Sequence, residues 1–318
     1  MYNLGIDLGG TNIAVGVVNE NFEIVGRGKM KTRAPRPAEE IVADMVTACK
    51  MALEDAGITL DDINSVGIGS PGSIDPKTGM IATSNNLRFN NVPMVSMVSS
   101  LLGGVKCYIE NDANAAAYGE FVAGAGKGTN DFVTITLGTG VGCGIIINGK
   151  LFGGHNNAGG ELGHTVMIYE GEDCTCGRKG CWETYASATA LIRQTKAAMN
   201  ENPDSVMWEL VGGDLEKASG RTAFDAMRQG DEAAKTVVKN YIDYVSCGIT
   251  NVVNIFQPQV LCVGGGISNE GETLMAPIRE FVERERYSKN VASQTALRAA
   301  ELGNDAGIIG AASLYKLA

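Results

Sequence analysis

The sequence lacks three features that would assign it to common classes of protein. It has no excess of basic residues, since 26 lysines and arginines stand against 36 acidic residues and give a net charge of −10. Without a basic cluster the attraction to phosphate backbones is missing, so nucleic acids and anionic membranes are not expected partners. No apolar run approaches the roughly 20 residues of a membrane helix. The first ten residues lack the basic start and cleavage site of a signal peptide, which predicts a cytoplasmic protein.

Histidine is scarce, with two residues in 318, but one of them precedes a group of cysteines. Five of the eight cysteines are scattered through apolar segments, which is typical of small buried side chains in a reducing compartment. The other three, Cys174, Cys176 and Cys181, follow His164. Three thiolates and one imidazole are the ligand set of tetrahedral zinc, and a closed four-ligand site is structural. The sequence therefore predicts structural Zn²⁺ bound by a loop at 164–181.

Glycine is abundant, and two glycine-containing segments repeat each other. Residues 4–19 and 133–148 share the pattern of apolar strand, glycine turn and apolar strand without a gap, at a constant offset of 129 residues. The repeat predicts an α/β fold of two related lobes around a central cleft, each offering backbone N–H groups to an anion. The expected boundaries are 1–115 with 303–318 for a small lobe, and 116–302 for a large lobe that contains the zinc loop.

Both glycine turns have the features of phosphate-binding turns. In the first, Asp7 stands at the end of a strand, the glycines allow the backbone close to a phosphate, and Thr11 adds a hydroxyl. Asp7 is expected to hold Mg²⁺ through water. A single turn of this kind would indicate no more than a tight hairpin, but the matched pair favours ATP phosphates. The predicted nucleotide-binding residues are Asp7, Gly9, Gly10, Thr11, Asn12, Gly138, Thr139 and Gly140.

Three further glycines, Gly264, Gly265 and Gly266, follow a predicted strand at 260–263. Either a flat ligand such as adenine or a plain turn fits such a run, and we include these residues among the predicted nucleotide contacts. Residues 124–129 resemble a P-loop, but Phe121 stands where its first glycine belongs and Gly128 follows the lysine, so the pattern fails. The glycines at 138–144 alternate inside a strand, unlike the dinucleotide fingerprint.

Asp112 is the candidate catalytic base. It lies in Glu110-Asn111-Asp112, after a predicted strand at 105–110 and at the start of a predicted helix at 111–122. The N-terminus of a helix would keep a carboxylate ionised, as a base that accepts a hydroxyl proton must be. Helix capping would explain one such polar residue. Together with Asn111 and Asn114, however, there is more polarity than capping needs.

Two further carboxylates flank the predicted zinc loop. Glu161 precedes His164, and Glu183 follows Cys181. Metal binding would bring Glu161, His164 and Glu183 together, near Asp112, and such a group suits a polyol because each carboxylate accepts two hydroxyl bonds. For Glu183 alone, a charge at a helix N-terminus is the alternative.

Elsewhere the apolar periodicity predicts alternating strands and helices. The segment 202–222 shows no clear periodicity and is expected to be an excursion from the second lobe. The remaining predicted helices are at 38–56, 185–199, 232–256, 273–285 and 306–317, and a further strand is predicted at 66–69.

Five motifs together resemble one known family. They are DLGGT at 7–11, ENDANAAA at 110–117, LGTGVGCGIIINGKLFGGHNNAGGELGH at 137–164, CTCGRKGCWETYAS at 174–187 and VGGGI at 263–267. In this order they resemble the ROK family of bacterial sugar kinases and repressors, within the actin-like ATPase superfamily, and most closely its glucokinases.

The resemblance implies two ribonuclease-H-like lobes and transfer of the γ-phosphate of ATP to the 6-hydroxyl of glucose, giving glucose 6-phosphate and ADP. It implies Asp112 as the base, ATP, Mg²⁺ and structural Zn²⁺ as cofactors, and a homodimer or homotetramer. His164 would use one ring nitrogen for zinc and the other for sugar. The residues implied to contact the sugar are Asn86, Asn111, Asp112, Glu161, His164 and Glu183.

Other activities within the same resemblance remain open. Phe89 and Trp182 depart from the family pattern near the expected sugar site, so fructose, mannose, allose and N-acetylmannosamine are alternatives to glucose. A sugar-sensing repressor would carry a DNA-binding helix-turn-helix before the first strand, which begins here near Asn3, and is less expected. A purely structural actin-like ATPase would have no use for the carboxylates beside the zinc loop.

Overall fold

The computed structural model describes residues 1–317, which form thirteen strands and ten α-helices. The strands are β1 Tyr2–Leu8, β2 Asn12–Val18, β3 Ile24–Lys31, β4 Ile63–Ser70, β5 Ser73–Asp75, β6 Met80–Ser84, β7 Phe89–Val92, β8 Cys107–Asn111, β9 Phe132–Leu137, β10 Val141–Ile147, β11 Lys150–Leu151, β12 Val260–Gly264 and β13 Ala296–Ala299. The helices are α1 Ala38–Ala56, α2 Met94–Leu101, α3 Asp112–Ala123, α4 Glu183–Ala186, α5 Ala188–Glu201, α6 Val206–Leu210, α7 Thr222–Arg228, α8 Glu232–Phe256, α9 Glu272–Glu285 and α10 Ala306–Ser313.

The strands form two five-stranded sheets with the same plan and one small antiparallel sheet. The first has the order β3-β2-β1-β4-β8 and the second the order β11-β10-β9-β12-β13, while β5, β6 and β7 form the third. In the first sheet β1 pairs antiparallel with β2 and parallel with β4, and β4 pairs parallel with β8. The two hairpins that repeat each other in sequence thus hold equivalent positions in the two larger sheets.

The chain divides into two compact units. Unit 1 contains residues 1–134, 144–160 and the described residues from Glu301 onward, and unit 2 contains 135–143 and 161–300. Unit 1 includes all of α3, which the expected boundary at 115/116 divides, and the lobe boundaries expected from the sequence stay a prediction.

A buried carboxylate explains why the chain from Glu301 onward belongs with α3. Glu120 of α3 is 2% exposed, and its carboxylate accepts hydrogen bonds from the backbone N–H groups of Ala125, Glu301 and Leu302 at 3.0, 3.1 and 2.8 Å. Ala125 belongs to residues 124–129, the segment that resembles a P-loop. Because its N–H binds the Glu120 carboxylate, this segment is a structural turn.

Several helices follow the predicted pattern closely. The helix α1 buries one apolar face and ends at Gly57, whose left-handed backbone lets its N–H reach the last carbonyls, and α8 has the bounds predicted for it. The helix predicted at 185–199 is instead two helices, because the side chain of Ser187 caps α5 through the N–H of Ala190. The final helix ends at Ser313 and continues as a 3₁₀ turn.

The segment predicted to lack periodicity contains short helices, α6 and a 3₁₀ turn at Leu215–Lys217. Within residues 1–317, no helix combines the length and the apolar character needed to cross a membrane.

Candidate active site

The acidic residues of unit 1 lie at one edge of the first sheet. The strands β1, β4 and β8 run parallel, so their carboxyl ends share an edge, which in α/β sheets is where ligands bind. Asp7 is the next-to-last residue of β1, and Asp112 follows the last residue of β8. Both carboxyl groups are largely buried and close enough for the charge of Asp112 to affect Asp7.

The helix α3 is capped by Asn111, which leaves Asp112 free of that role. The Asn111 Oδ1 accepts hydrogen bonds from the N–H groups of Ala113 and Asn114 at 2.9 and 3.3 Å. Its amide also donates to the carbonyl of Gly72 at 3.1 Å and hydrogen-bonds to the Asp112 carboxylate.

Part of the polarity that the sequence assigned to a ligand is internal to this segment. The amide of Asn114 donates to the Glu110 carboxylate at 3.0 Å, and the same Glu110 oxygen accepts the N–H of Asn111 at 2.8 Å. Glu110 and Asn114 therefore hold the start of α3 in place. Among these neighbouring polar side chains, Asp112 is the one that remains for chemistry.

The electrostatics of Asp112 differ from the sequence-based expectation. The helix N-terminus was expected to favour its ionised form, but burial outweighs the hydrogen bonds from the N–H groups of Ala113 and Asp112 and from the side chain of Asn111, so its pKa is raised. Burial and the neighbouring charge of Asp112 raise the pKa of Asp7 to about 6. A raised pKa makes Asp112 a stronger base.

The first glycine turn lies beside these carboxyls and is fixed by its own backbone and by Thr32. The N–H of Gly9 donates to the carbonyl of Asn12 at 2.9 Å, and the Thr32 hydroxyl donates to the carbonyl of Gly9 at 2.6 Å. A Cβ atom added at Gly10 would lie 3.6 Å from the Cβ of Asn86. The structure therefore brings together the predicted phosphate turn and the predicted sugar residue Asn86.

Two residues at this turn were missed by sequence reasoning, Thr32 and Lys31. The Nζ of Lys31 donates to the Oδ1 of Asn12 at 2.9 Å. Lys31 had a detectable signal, since alternate residues of β3, Arg27, Lys29 and Lys31, are basic and share one face. Thr32 is fully buried, and nothing in its local sequence indicates its role.

In unit 2, the four predicted zinc ligands converge. Their ligand atoms all lie within 4.8 Å of one another, with 3.5 Å between Cys174 Sγ and His164 Nδ1 and 3.6 Å between the sulfurs of Cys176 and Cys181. A tetrahedral zinc ion with ordinary bond lengths would place two sulfurs about 3.8 Å apart and a sulfur and a nitrogen about 3.6 Å apart. The donor set and its spacing therefore fit Zn²⁺, with Nδ1 of His164 toward the metal and Nε2 left for another partner.

The segment that follows the zinc ligands packs on the second glycine turn. Glu183 begins α4, and its carboxylate accepts a hydrogen bond from the N–H of Val141 at 2.9 Å. The carbonyl of Gly138 accepts the N–H of Ala188 at 2.8 Å, and the N–H of Gly138 donates to the carbonyl of Gly140 at 3.0 Å. Glu183 is thus at a helix N-terminus and also in contact with the backbone beside the predicted phosphate turn.

Two further predictions concern unit 2. Trp182, which precedes Glu183, is 1% exposed, donates its indole N–H to the carbonyl of Tyr244 at 2.9 Å and lies against Gly248. It is a core residue, and its expected nearness to the sugar site stays a prediction. Gly265 has φ of 86°, and a Cβ atom added to it would lie 2.6 Å from the backbone N of Leu137. Because Leu137 precedes the second turn, the glycine run at 264–266 adjoins that turn.

Comparison with known proteins shows the family. The ROK family model matches residues 3–318. The chain is 37% identical to glucokinases from Thermotoga maritima and Streptomyces coelicolor, covering 98% of this chain and 96% and 97% of theirs.

A solved structure agrees with the sequence relatives. A ROK family glucokinase from Streptomyces griseus, in complex with glucose and AMPPNP, is 37% identical, with a TM-score of 0.83 and 99% of both chains covered. The predicted α/β fold of the actin-like ATPase class is confirmed. The chain is a member of the ROK family.

Proposed function

We propose that this protein is an ATP-dependent glucokinase, which converts glucose and ATP to glucose 6-phosphate and ADP. The observation that carries the proposal is the buried pair Asp7 and Asp112 beside the first glycine turn, with Asp112 released from capping by Asn111. The glucokinase relatives, and the glucose and AMPPNP bound by one of them, support this choice of sugar and donor.

Asp112 acts as the general base in the proposed reaction. Its carboxylate accepts the proton of the sugar 6-hydroxyl as that oxygen forms a bond to the γ-phosphorus. The bond between the γ-phosphorus and the β,γ-bridging oxygen breaks at the same time, and ADP leaves with the electron pair. Asp7 would hold Mg²⁺ through water, and the ion would neutralise phosphate charge.

The glycine turns bind phosphate through backbone N–H groups, and the run at 264–266 seats adenine. Their residues are Gly9, Gly10, Thr11 and Asn12 in the first turn, and Gly138, Thr139 and Gly140 in the second. Because the N–H groups of Gly9 and Gly138 close their own turns, the phosphate contacts would come from the other residues of each turn.

The proposed sugar contacts are the six residues that the sequence motifs predict. Three of them, Asn86, Asn111 and Asp112, precede the loop of cysteines in the chain. The other three are Glu161, Glu183 and Nε2 of His164. His164, Cys174, Cys176 and Cys181 would hold Zn²⁺, which would fix the imidazole and orient Nε2.

The proposal includes a cytoplasmic location and a homodimer or homotetramer. Thiolate ligands and free cysteines suit a reducing compartment. Light scattering of the purified protein tests the oligomeric state, and metal analysis of freshly reduced protein should find about one zinc per chain.

The reaction is tested with a panel of sugars and a coupled measurement of ADP release. Glucose should give the highest kcat/KM among glucose, fructose, mannose, allose and N-acetylmannosamine. A higher kcat/KM for another of these sugars would support the kinase activity but change the assigned substrate. No ADP release with any of these sugars would contradict the kinase itself.

The base is tested by Asp112→Asn, which keeps size and polarity but cannot accept the proton. The variant should fold and bind glucose, with kcat lowered about 10²–10⁴-fold. Glu110→Gln is a matched control, because it replaces a neighbouring buried carboxyl that contacts only the α3 segment in the described hydrogen bonds, and it should change kcat by less than about tenfold. Near-normal kcat in Asp112→Asn would overturn the assignment.

A further inference from the structure

The first phosphate turn has a basic side chain that its own motif lacks. Lys31 is the last residue of β3 and is the register partner of Asn12, the first residue of β2 after the turn. Its Nζ donates to the Asn12 Oδ1 at 2.9 Å, so the ammonium group is held at the end of the turn. Lys31 is exposed, which leaves its remaining two N–H groups open to a ligand.

The charges around the turn call for a cation. Asp7 and Asp112 place two carboxyls beside it, and neither Gly9–Asn12 nor Gly138–Gly140 contains a basic residue. A nucleoside triphosphate brings about four negative charges, of which a divalent ion neutralises two. A lysine ammonium at the turn would neutralise another and form charge-assisted hydrogen bonds to phosphate oxygens.

Two arginines of the same segment, Arg27 and Arg36, are already engaged. The Arg36 guanidinium binds the carbonyl of Thr32 and the carboxylate of Asp44, and Arg27 binds Asp305. Within residues 1–317, Lys31 has no carboxylate partner at ion-pair distance. Its ammonium is therefore available to phosphate.

We propose that Lys31 is a phosphate-binding residue, whose Nζ, positioned by Asn12, contacts the β- or γ-phosphate of a nucleotide at the first glycine turn. The identity of the nucleotide rests on the proposed kinase function. The competing explanation is that β3 is an edge strand, and lysines on edge strands prevent pairing with other chains.

Lys29 separates the two explanations. It lies on the same strand and the same face, two residues or about 7 Å further from the turn, opposite Ala14. It is as exposed a lysine as Lys31 and serves edge protection equally well. A role in phosphate binding should therefore distinguish Lys31 from Lys29, and edge protection should not.

The experiment measures the Kd of adenosine, AMP, ADP and AMPPNP, each with Mg²⁺, by calorimetry on the full chain. Lys31→Met should raise the Kd of ADP and AMPPNP about tenfold or more and leave adenosine and AMP nearly unchanged. Lys31→Arg should retain most of the affinity, and Lys29→Met should stay within about threefold of wild type. The KM for ATP should rise in Lys31→Met while the KM for glucose does not.

Two results would overturn the inference. One is an unchanged ADP and AMPPNP affinity in Lys31→Met, and the other is an equal loss in Lys29→Met. An unchanged melting temperature shows that Lys31→Met is folded, and Lys31→Arg gives a second reading if it is not. If wild type phosphorylates no sugar but Lys31→Met still weakens ADP, the proposed function fails and the phosphate contact stands. If glucose is phosphorylated and the affinities are unchanged, the contact alone fails.

Discussion

The two glycine hairpins, β1–β2 and β9–β10, share one scaffold but obtain their charged groups differently. The first has Asp7 in its own strand and Asp112 from the next parallel strand and helix. At the position equivalent to Asp7 the second has Thr136, and its adjacent carboxylate, Glu183, comes from a segment 42 residues away from Val141. The two similar sheets therefore supply the same backbone turn twice. The side chains that neighbouring segments place beside each turn decide its chemistry.

The outer strands differ in the same way. The strand β3, which pairs with β2, has eight residues and places Lys31 beside the first turn. The corresponding strand of the second sheet, β11, pairs with β10, has two residues and ends at Leu151. The second turn instead rests on α4 and α5, which follow the zinc ligands. One turn thus depends on its sheet, and the other on the loop that carries the predicted zinc ligands.

Loss of zinc should show this difference most strongly. Cys181→Ser should abolish zinc binding, destabilise unit 2 by several kcal/mol and remove most activity, because Glu183 would no longer be held near Val141. Hydrogen exchange should report faster exchange at the Val141 N–H and unchanged protection in β1–β2. Cys262→Ser, a buried cysteine outside the cluster, is the control and should retain zinc. Equal loss of protection in both hairpins would contradict the separate dependence.

The ligand-free stability should depend on Asp7 in a pH-dependent way. Its pKa is about 6 in the folded protein against 3.8 ordinarily, so the fold favours the protonated form and loses up to about 3 kcal/mol as pH rises through that window. Without Mg²⁺ and nucleotide, Asp7→Asn should therefore be more stable than wild type at pH 7.5 and nearly equal at pH 4.

Denaturant titration at several pH values measures this effect. Asp75→Asn is a control of opposite sign, since hydrogen bonding to Thr78 lowers the pKa of exposed Asp75 and favours its ionised form in the fold. An Asp7→Asn variant that is less stable than wild type at pH 7.5 would show that the ionised Asp7 carboxylate does not destabilise the ligand-free protein.

The smallest expected effect tests the contact at the second turn. A Cβ at Gly140 would overlap Glu183 Oε2, whereas one at Gly138 would meet nothing within 4 Å. Gly140→Ala should cost about 1–3 kcal/mol by displacing the carboxylate from the Val141 N–H, and should raise the KM for glucose. Gly138→Ala should leave ligand-free stability within about 1 kcal/mol of wild type. Equal stability of the two variants in urea unfolding would contradict the Glu183 contact.

Features encoded by local spacing could be predicted from the sequence. The two hairpins, α1, α8 and the cluster of His164 with three cysteines depend on periodicity or on ligand spacing within one segment. Even Asn111 and Asp112 could be placed at a helix start, although not which of them caps it.

Features that depend on distant contacts could not be predicted. The hydrogen bond between Lys31 and Asn12 needs the register of β2 and β3, and that between Glu183 and Val141 needs the packing of α4 on the turn. The direction of the Asp112 pKa depends on burial, which its neighbours in sequence do not reveal. The burial of Trp182 likewise depends on Gly248, 66 residues further along, which leaves space for its ring.

The hydrogen bonds from the N–H groups of Glu301 and Leu302 to the Glu120 carboxylate have a consequence for folding during synthesis on the ribosome. Unit 1 takes most of its strands from the start of the chain, β11 from the segment 144–160 and α10 from its end, and α10 packs against β1 and α3. The Glu120 carboxylate therefore lacks two of its hydrogen-bond donors until nearly two hundred further residues have been translated. At about 5–20 residues per second that delay is on the order of ten seconds or more. Unit 2 has all of its residues before then, so the unit that begins the chain is the last to be completed.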